Sequence, residues 1–192
     1  MVHISKKGSS MPASPIRKLV PYAEAAKARG VKVYHLNIGQ PDIETPQVAI
    51  DAVKNITDRI FEYTHSAGTP EYRKKLVTYY EKAGINVAMK NILVTVGGSE
   101  AIFMAMSVCL DPGEEILVPE PYYANYNGFA AEAGVVIKPI RSVIENDFAL
   151  PPVEEIAKHI TPLTRAILIC NPNNPTGMLY SRQDMERLAK IV

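Results

Sequence analysis

Three short segments of the sequence carry residue types that could bind a small ligand. The first is residues 171–177, an Asn-Pro-Asn-Asn-Pro-Thr-Gly turn that directly follows the apolar run of residues 165–170. Proline fixes φ, glycine permits positive φ, and asparagine amides can bond to the backbone or to a ligand. On residue types alone the turn is either a rigid strand-to-helix connection or part of a binding site.

The second segment is Gly97-Gly98-Ser99-Glu100, between a predicted strand and a predicted helix. Glycines let the backbone approach a ligand closely, and the free N–H groups at a helix start favour a phosphate. Ser99 adds a hydroxyl donor, whereas the Glu100 carboxylate would repel a phosphate, so its backbone N–H is the useful group. The segment matches neither a G-x-G-x-x-G nor a Walker pattern, and a plain turn remains an equal alternative.

The third segment is residues 119–123, in which Pro121 precedes Tyr122 and Tyr123. A flat ring stacked on one of these tyrosines would gain roughly 0.5–1.5 kcal/mol beyond burial. A tyrosine buried in the core is the commoner arrangement. Together, a phosphate cradle, an aromatic plate and amide donors describe a site for a flat phosphorylated ring.

Alternating strand and helix patterns predict an α/β fold, a mostly parallel sheet with helices on both faces. Because ligands bind at the carboxyl ends of parallel strands, the three segments should lie at one edge of the sheet. The predicted strands cover residues 31–38, 92–96, 115–118, 135–139 and 165–170. The predicted helices start at Ser14, Thr45, Thr69, Ser99, Tyr122, Val153 and Ser181, the last running to the chain end.

Composition describes an ordinary globular protein of 192 residues, with 47% hydrophobic residues and a net charge of +1. Neither a nucleic-acid partner nor a membrane is expected, since the charge is balanced and no apolar run approaches roughly 20 residues. Without a secretory pattern, a cytoplasmic location is expected. Scattered histidines and two cysteines give no metal site, and Cys109 and Cys170 are predicted to be buried free thiols.

The sequence resembles the fold-type-I, pyridoxal-phosphate-dependent aminotransferases of class I/II, the aspartate aminotransferase-like kind. The Asn-Asn-Pro-Thr-Gly run that ends at Gly177 resembles their signature after an apolar strand. The match continues in register at four further places and covers nearly the whole chain from Ser14. These places are residues 37–42, 63–73, 94–100 and 119–123.

The resemblance implies pyridoxal 5'-phosphate as cofactor and assigns roles to several residues. Gly98, Ser99 and Glu100 match the loop that binds the cofactor phosphate through backbone N–H groups. Tyr123 matches the aromatic residue that stacks on the pyridine ring, where many relatives have tryptophan. Asn174 matches the asparagine that bonds to the ring's 3-hydroxyl oxygen, and both residues also border the substrate.

Further implications concern the substrate and the assembly. Gly39 matches a glycine whose backbone lies against the substrate carboxylate. Tyr63 matches a tyrosine that reaches the cofactor phosphate of a neighbouring subunit, so a homodimer is implied. The substrates implied are an amino acid and a 2-oxo acid.

The resemblance also implies that the chain is the N-terminal portion of a longer protein. Residues 1–44 would be an arm and a small-domain segment, with the N-terminal helix, and residues 45–192 the first half of the cofactor-binding large domain. In the family that the sequence resembles, the Schiff-base lysine follows the Asn-Pro-Thr-Gly motif, so it is expected beyond Val192. Lys158 and Lys190 do not lie in a matching context and are interpreted as solvated helix lysines. The 192 residues alone should therefore be inactive.

Two alternatives to an aminotransferase remain open. Related folds catalyse C–S or ring-forming lyase reactions with the same cofactor, and these motifs hardly separate the two chemistries. A non-catalytic ligand-binding module could also keep the fold and lose the lysine.

Overall fold

The structure, a computed structural model, describes residues 3–191 and divides into two compact units. Residues up to Val33 and from Ser99 onward form the first unit, and Tyr34–Gly98 forms the second. The helices are α1 Lys6–Ser10, α2 Val20–Ala28, α3 Gln47–Lys54, α4 Pro70–Lys82, α5 Gly97–Cys109, α6 Tyr126–Ala133, α7 Val153–Ala157 and α8 Arg182–Leu188. The strands are β1 Glu115–Glu120, β2 Val136–Arg141 and β3 Thr164–Ile167. Short 3₁₀ turns cover Arg17–Leu19, Met89–Asn91 and Ile144–Asn146.

The first unit is built on a three-stranded parallel sheet in the order β2-β1-β3. In the register of the central strand, Ile116 lies opposite Ile137 of β2 and Ala166 of β3. The register between β1 and β3 shifts beside Glu115. All strand pairs being parallel, the predicted α/β fold with a parallel sheet is confirmed.

The core lies on both faces of β1, because successive side chains of a strand point to opposite sides. Ile116 and Val118 belong to a buried cluster with residues of α5 and α6, whereas Leu117 belongs to a second cluster with residues of α7 and α8. Helices thus cover both faces of the sheet, as predicted. Each fully buried aliphatic side chain contributes roughly 1.5–3 kcal/mol. The helical members of the two clusters are Met106, Tyr126, Ala130, Ile156 and Leu188.

Two of the five predicted strands are wrong. Residues 31–38 and 92–96 pair with no strand among residues 3–191. Several of their apolar side chains are exposed, with Leu36 at 95% and Val96 at 90%. Because strand propensity reflects packing on a pleated, half-buried surface, apolar composition without a neighbouring strand does not make a ladder. β3 also ends at Ile167, three residues before the predicted end.

Most predicted helix starts are confirmed to within a few residues, but the helix predicted from Ser14 is wrong at its start: α2 begins at Val20, after the 3₁₀ turn at Arg17–Leu19. Pro70 opens α4 after Thr69, and Gly134 ends α6 in the left-handed conformation with φ of 80°. α6 begins at Tyr126 rather than Tyr122, because the preceding residues form the turn after β1, with Tyr126 N–H donating to the Tyr123 carbonyl. Within the arm, residues 6–10 form a short helix.

Two further expectations need correction. The last helix ends at Leu188 rather than continuing to the chain end, and Val192, like Met1 and Val2, lies outside the described residues. Cys109 is exposed and Cys170 is half-buried, so the prediction of two buried thiols was wrong. In α5 the core position of the last turn is taken by Met106, and Leu110 follows it.

The second unit contains α3, α4 and the segment that leads into α5. The buried Arg73 of α4 donates from Nη2 to the Met89 carbonyl at 2.6 Å. Val94 donates its N–H to Ala67 at 3.0 Å. Gly68, at φ of +96°, lies so close to Val94 that a Cβ on it would come within 2.5 Å of a valine methyl. These contacts fix residues 89–94 against the start of α4.

Among residues 3–191, the structure contains no helix both long and apolar enough to cross a membrane.

Candidate functional site

Two of the three predicted loops meet at the carboxyl edge of the sheet. Since β1 and β3 are adjacent and parallel, the segments that follow them leave the sheet at the same edge. The Asn173 amide, only 7% exposed, donates to the Pro121 carbonyl at 3.0 Å and to the Thr176 hydroxyl at 2.9 Å. Asn173 therefore joins the loop after β3 to the loop after β1.

The loop after β3 is also closed by bonds along its own length. Asn173 N–H donates to the Met178 carbonyl, and Gly177, at φ of 74°, donates back to the Asn173 carbonyl, both at 2.8 Å. Asn171 exchanges two bonds with the backbone of Tyr180, at 2.9 and 3.2 Å. The backbone is thus fixed on both sides of Asn174. Cis peptide bonds precede three prolines of the two loops, Pro121, Pro172 and Pro175.

Asn174 differs from Asn173 in its exposure and in its hydrogen bonding. Its side chain is exposed and makes no hydrogen bond to any of residues 3–191. The donors and acceptor of this amide are unused by the described residues, and its backbone is already fixed, so a ligand can be bound without ordering the backbone. Of two consecutive asparagines, Asn173 has a structural part and Asn174 remains available.

The loop after β1 presents a cluster of tyrosines. Tyr123, half-buried, packs edge-to-face on Tyr126, with ring centroids 5.5 Å apart and an interplanar angle of 86°. Its phenol oxygen accepts a hydrogen bond of 2.7 Å from the Asn125 amide. Tyr122 stacks on Tyr126 at 6.1 Å and donates to Asn127 at 3.1 Å. The Tyr123 ring is therefore held by its contact with the Tyr126 ring and by the hydrogen bond at its hydroxyl.

Three tyrosines in or beside these loops, Tyr122, Tyr126 and Tyr180, are protonated and uncharged at neutral pH. Burial raises the pKa of Tyr126 to about 12, and the neighbouring Cys170 adds to the shift. Burial likewise raises the pKa of Tyr180 and of Tyr122. Cys170 Sγ donates to the Pro172 carbonyl at 3.3 Å. Uncharged phenol rings suit a flat aromatic ligand better than an ion.

The third predicted loop forms the first turn of α5. An α-helix leaves the N–H groups of its first turn without intrahelical acceptors and carries partial positive charge there, which favours an anion. Ser99 in this turn is exposed, and Glu100 is half-buried. Further along α5, Ile102 packs against the same cluster as Tyr123. The helix bearing Ser99 and the loop bearing Tyr123 thus border one apolar cluster.

The remaining predicted site residues, Gly39, Tyr63 and Gly98, lie in the second unit. Tyr63 is fully exposed. A Cβ built on Gly39 or Gly98 would have none of the described atoms within 4 Å. All three positions are therefore open to a ligand or a partner, and their roles stay predictions.

The sequence did not predict the structural roles of three residues: Asn125, Tyr126 and Asn173. Asn173 precedes the asparagine that the motif singled out, and no sequence signal says which of the two points inward. The partnership of Asn125 with Tyr123 depends on an irregular turn, for which periodicity offers no template. Tyr126 could have been found as a core residue of α6, since its burial follows the helical spacing to Ala130.

The fold and the two joined loops define a parallel α/β domain with a binding edge, and the comparisons with known proteins identify its family. The sequence matches the family described as aminotransferase class I and II over residues 31–192. The chain therefore belongs to this family, whose members depend on pyridoxal phosphate.

Several relatives are similar to the chain over most of its length. Aspartate aminotransferase of Geobacillus stearothermophilus is 30% identical over 190 residues, which cover 98% of this chain and 48% of that protein. Aspartate/prephenate aminotransferase of Thermus thermophilus is 34% identical over 167 residues, covering 86% and 43%. The chain spans about half the length of the curated relatives it matches.

Solved structures give the same result. Thermus thermophilus aspartate aminotransferase with maleate aligns with a TM-score of 0.89 at 32% identity, covering 100% of this chain and 50% of that one. Alanine aminotransferase from Pyrococcus furiosus aligns with a TM-score of 0.90 at 36% identity, covering 98% and 49%.

The residues of the first unit fit pyridoxal phosphate. Tyr123 offers a ring held by Tyr126 and Asn125, Asn174 offers an amide unbonded to residues 3–191, and Ser99 offers an exposed hydroxyl at a helix N-terminus. These three groups match the three parts of the cofactor: its ring, its ring oxygen and its phosphate.

Proposed function

We propose that the whole protein is a pyridoxal-phosphate-dependent aminotransferase that moves an amino group from an amino acid to a 2-oxo acid. The observation that carries the proposal is the hydrogen bond from Asn173 to Pro121, which joins the loop of Asn174 to the loop of Tyr123. Family membership alone gives the cofactor and the fold. The joined loops supply a reason why this chain would hold that cofactor.

Each residue of the first unit has a separate task in the proposal. Tyr123 stacks on the cofactor ring, backed by Tyr126. Asn174 donates from its side-chain amide to the ring oxygen, and the anionic form of that oxygen is favoured by the donated bond. Ser99 and Glu100 hold the phosphate with the N–H groups of the first turn of α5, and the Ser99 hydroxyl adds a donor. When bound, the cofactor supplies an electron sink for the carbanion formed at the amino acid's α-carbon.

The contribution of Asn174 can be estimated from its surroundings. Its amide makes no bond to the described residues, so binding does not require an internal bond to be broken. A hydrogen bond to a charged group is worth about 1.5–3 kcal/mol. The loop bonds of Asn171, Asn173 and Gly177 keep the backbone in place, which limits the entropy lost on binding.

The proposal extends to three residues of the second unit. Gly98 would contribute a backbone N–H to the phosphate, and the backbone of Gly39 would lie against the substrate carboxylate. Tyr63 would reach the cofactor phosphate of a second copy of the protein, which makes a homodimer part of the proposal. Its fully exposed side chain supports this role.

The proposal also includes the domain division and the location. Residues 1–44 would serve as arm and small-domain segment and residues 45–192 as the first half of the cofactor-binding domain. The protein would act in the cytoplasm on small-molecule amino acids and 2-oxo acids.

A product assay tests the proposal. The whole protein, loaded with pyridoxal phosphate, is incubated with a panel of amino acids and one 2-oxo acid acceptor. An aminotransferase forms the donor's 2-oxo acid and the acceptor's amino acid in equal amounts. Release of ammonia or of a thiol without a new amino acid would favour the lyase alternative. No turnover and no cofactor binding would favour a non-catalytic module.

A further inference from the structure

The side chain of Asn125 has an unusual partner for its position in the chain. Asn125 is the N-cap residue of α6, a place where asparagine usually accepts a hydrogen bond from the first turn of the helix. Among the described residues, no such capping bond is made by its side chain. Its amide instead donates to the phenol oxygen of Tyr123 at 2.7 Å. The side chain therefore holds the tyrosine and leaves the helix end without a side-chain cap.

The bond completes the fixation of the Tyr123 ring. A tyrosine ring can tilt about its first two side-chain torsions, and the edge-to-face contact with Tyr126 restrains only one side of it. The Asn125 bond fixes the far end of the ring, at the oxygen. A phenol oxygen carries two lone pairs and one proton, so a bond accepted from Asn125 leaves the proton free to be donated.

We infer that Asn125 is a positioning residue for cofactor binding: through its hydrogen bond it holds Tyr123 in the orientation that stacks on the pyridoxal ring. The inference rests on the proposed function, because it gives Tyr123 that stacking role. It adds that the affinity for the cofactor depends on a residue that does not touch it. It also accounts for a tyrosine at this place, since a tryptophan would leave Asn125 without the phenol oxygen.

The chain offers a matched control beside this pair. Tyr122 and Asn127 form a second tyrosine–asparagine bond, at 3.1 Å, in the same segment. Tyr122 has no part in the proposed stacking. Loss of this bond should perturb the segment to a similar degree without affecting the stacking ring.

The test measures the dissociation constant for pyridoxal phosphate of the whole protein and of its variants, by equilibrium titration of cofactor fluorescence. Asn125→Ser keeps a good N-cap residue but is too short to reach the phenol, and a lost bond of about 1 kcal/mol predicts about fivefold weaker binding. In Asn125→Asp the carboxylate can accept a hydrogen bond from the Tyr123 hydroxyl, so the affinity should stay within about twofold of wild type. Asn127→Ala should also stay within about twofold, since that bond does not reach Tyr123.

Two further readouts separate positioning from a general structural effect. In a Tyr123→Phe background, Asn125→Ser should have no further effect on affinity, because the bond is already absent. The induced circular dichroism of the bound cofactor, which reports ring orientation, should change in Asn125→Ser and not in Asn127→Ala.

The outcomes distinguish this inference from the proposed function. Unchanged affinity in Asn125→Ser, an equal loss in Asn127→Ala, or a loss that persists in the Tyr123→Phe background would overturn the inference alone. Wild-type protein that binds no pyridoxal phosphate would overturn the proposed function and the inference with it.

Discussion

Substituting Asn173 by alanine removes two hydrogen bonds from a side chain that is almost fully buried. A net contribution of about 1 kcal/mol per bond gives roughly 2 kcal/mol. The Pro121 carbonyl would then lose its Asn173 donor, which adds part of a desolvation cost. Thr176 still accepts from the N–H of Met178 at 3.1 Å, so its loss is smaller. We expect Asn173→Ala to lower the free energy of unfolding by about 2–3 kcal/mol.

Asn174→Ala is the matched control for this prediction. The two residues are adjacent and identical in type, but Asn174 is exposed and unbonded within residues 3–191. Its substitution should change the free energy of unfolding by no more than about 0.5 kcal/mol.

Equilibrium urea unfolding of the cofactor-free protein measures both changes. The midpoint should fall in Asn173→Ala at an unchanged slope, while Asn174→Ala should overlay the wild type. Equal destabilisation of the two variants, or a larger effect in Asn174→Ala, would refute the separation of a structural from a ligand-binding asparagine.

Three further predictions concern stability. Gly68→Ala should lower the free energy of unfolding by about 2–4 kcal/mol, because it adds strain at a positive φ and a clash with Val94. Gly84→Ala adds similar strain in open space and should lower it by about 1–2 kcal/mol. Urea unfolding of the two variants measures the difference, and equal losses would contradict the clash. The hydrogen bond donated by the Thr161 hydroxyl to Glu115 lowers the pKa of that carboxyl. The stability that this bond gives the folded state is therefore present above the unfolded-state pKa of about 4.3, and it is lost as the pH falls through the lower folded-state pKa. Glu115→Gln should flatten the loss of stability on acidification, and an unchanged acid profile would contradict this. Ser181→Ala removes one side of a capping box and should lower the free energy of unfolding by about 1 kcal/mol. The melting temperature should fall accordingly, and an unaltered melting temperature would count against the cap.

The sequence predicted the parallel domain well where its elements find partners within the chain. Residues 115–118 and 135–139 are short apolar runs between helices, and both became strands of one sheet. The same pattern failed at residues 31–38 and 92–96. A strand is defined by its neighbour, and apolar side chains such as Leu36 and Val96 carry no information about whether that neighbour is present.

The candidate site was predictable in its members and not in its connections. The motifs pointed to Tyr123 and Asn174, and the adjacent parallel strands explain why their loops meet. Which asparagine turns inward, and that Asn125 bonds to a tyrosine rather than to a helix end, depend on irregular loops. No periodicity of 2.0 or 3.6 residues applies to such loops, so the direction of their side chains could not be predicted from the sequence.

The affinity for pyridoxal phosphate in Asn174→Ala tests the proposed site most directly. The dissociation constant is measured for the whole protein, wild type and variant, by the same fluorescence titration at pH 7. A lost bond of about 1.5–3 kcal/mol predicts an affinity weaker by about 10- to 150-fold, with unfolding in urea unchanged. An unchanged dissociation constant would contradict the claim that this exposed amide holds the cofactor ring.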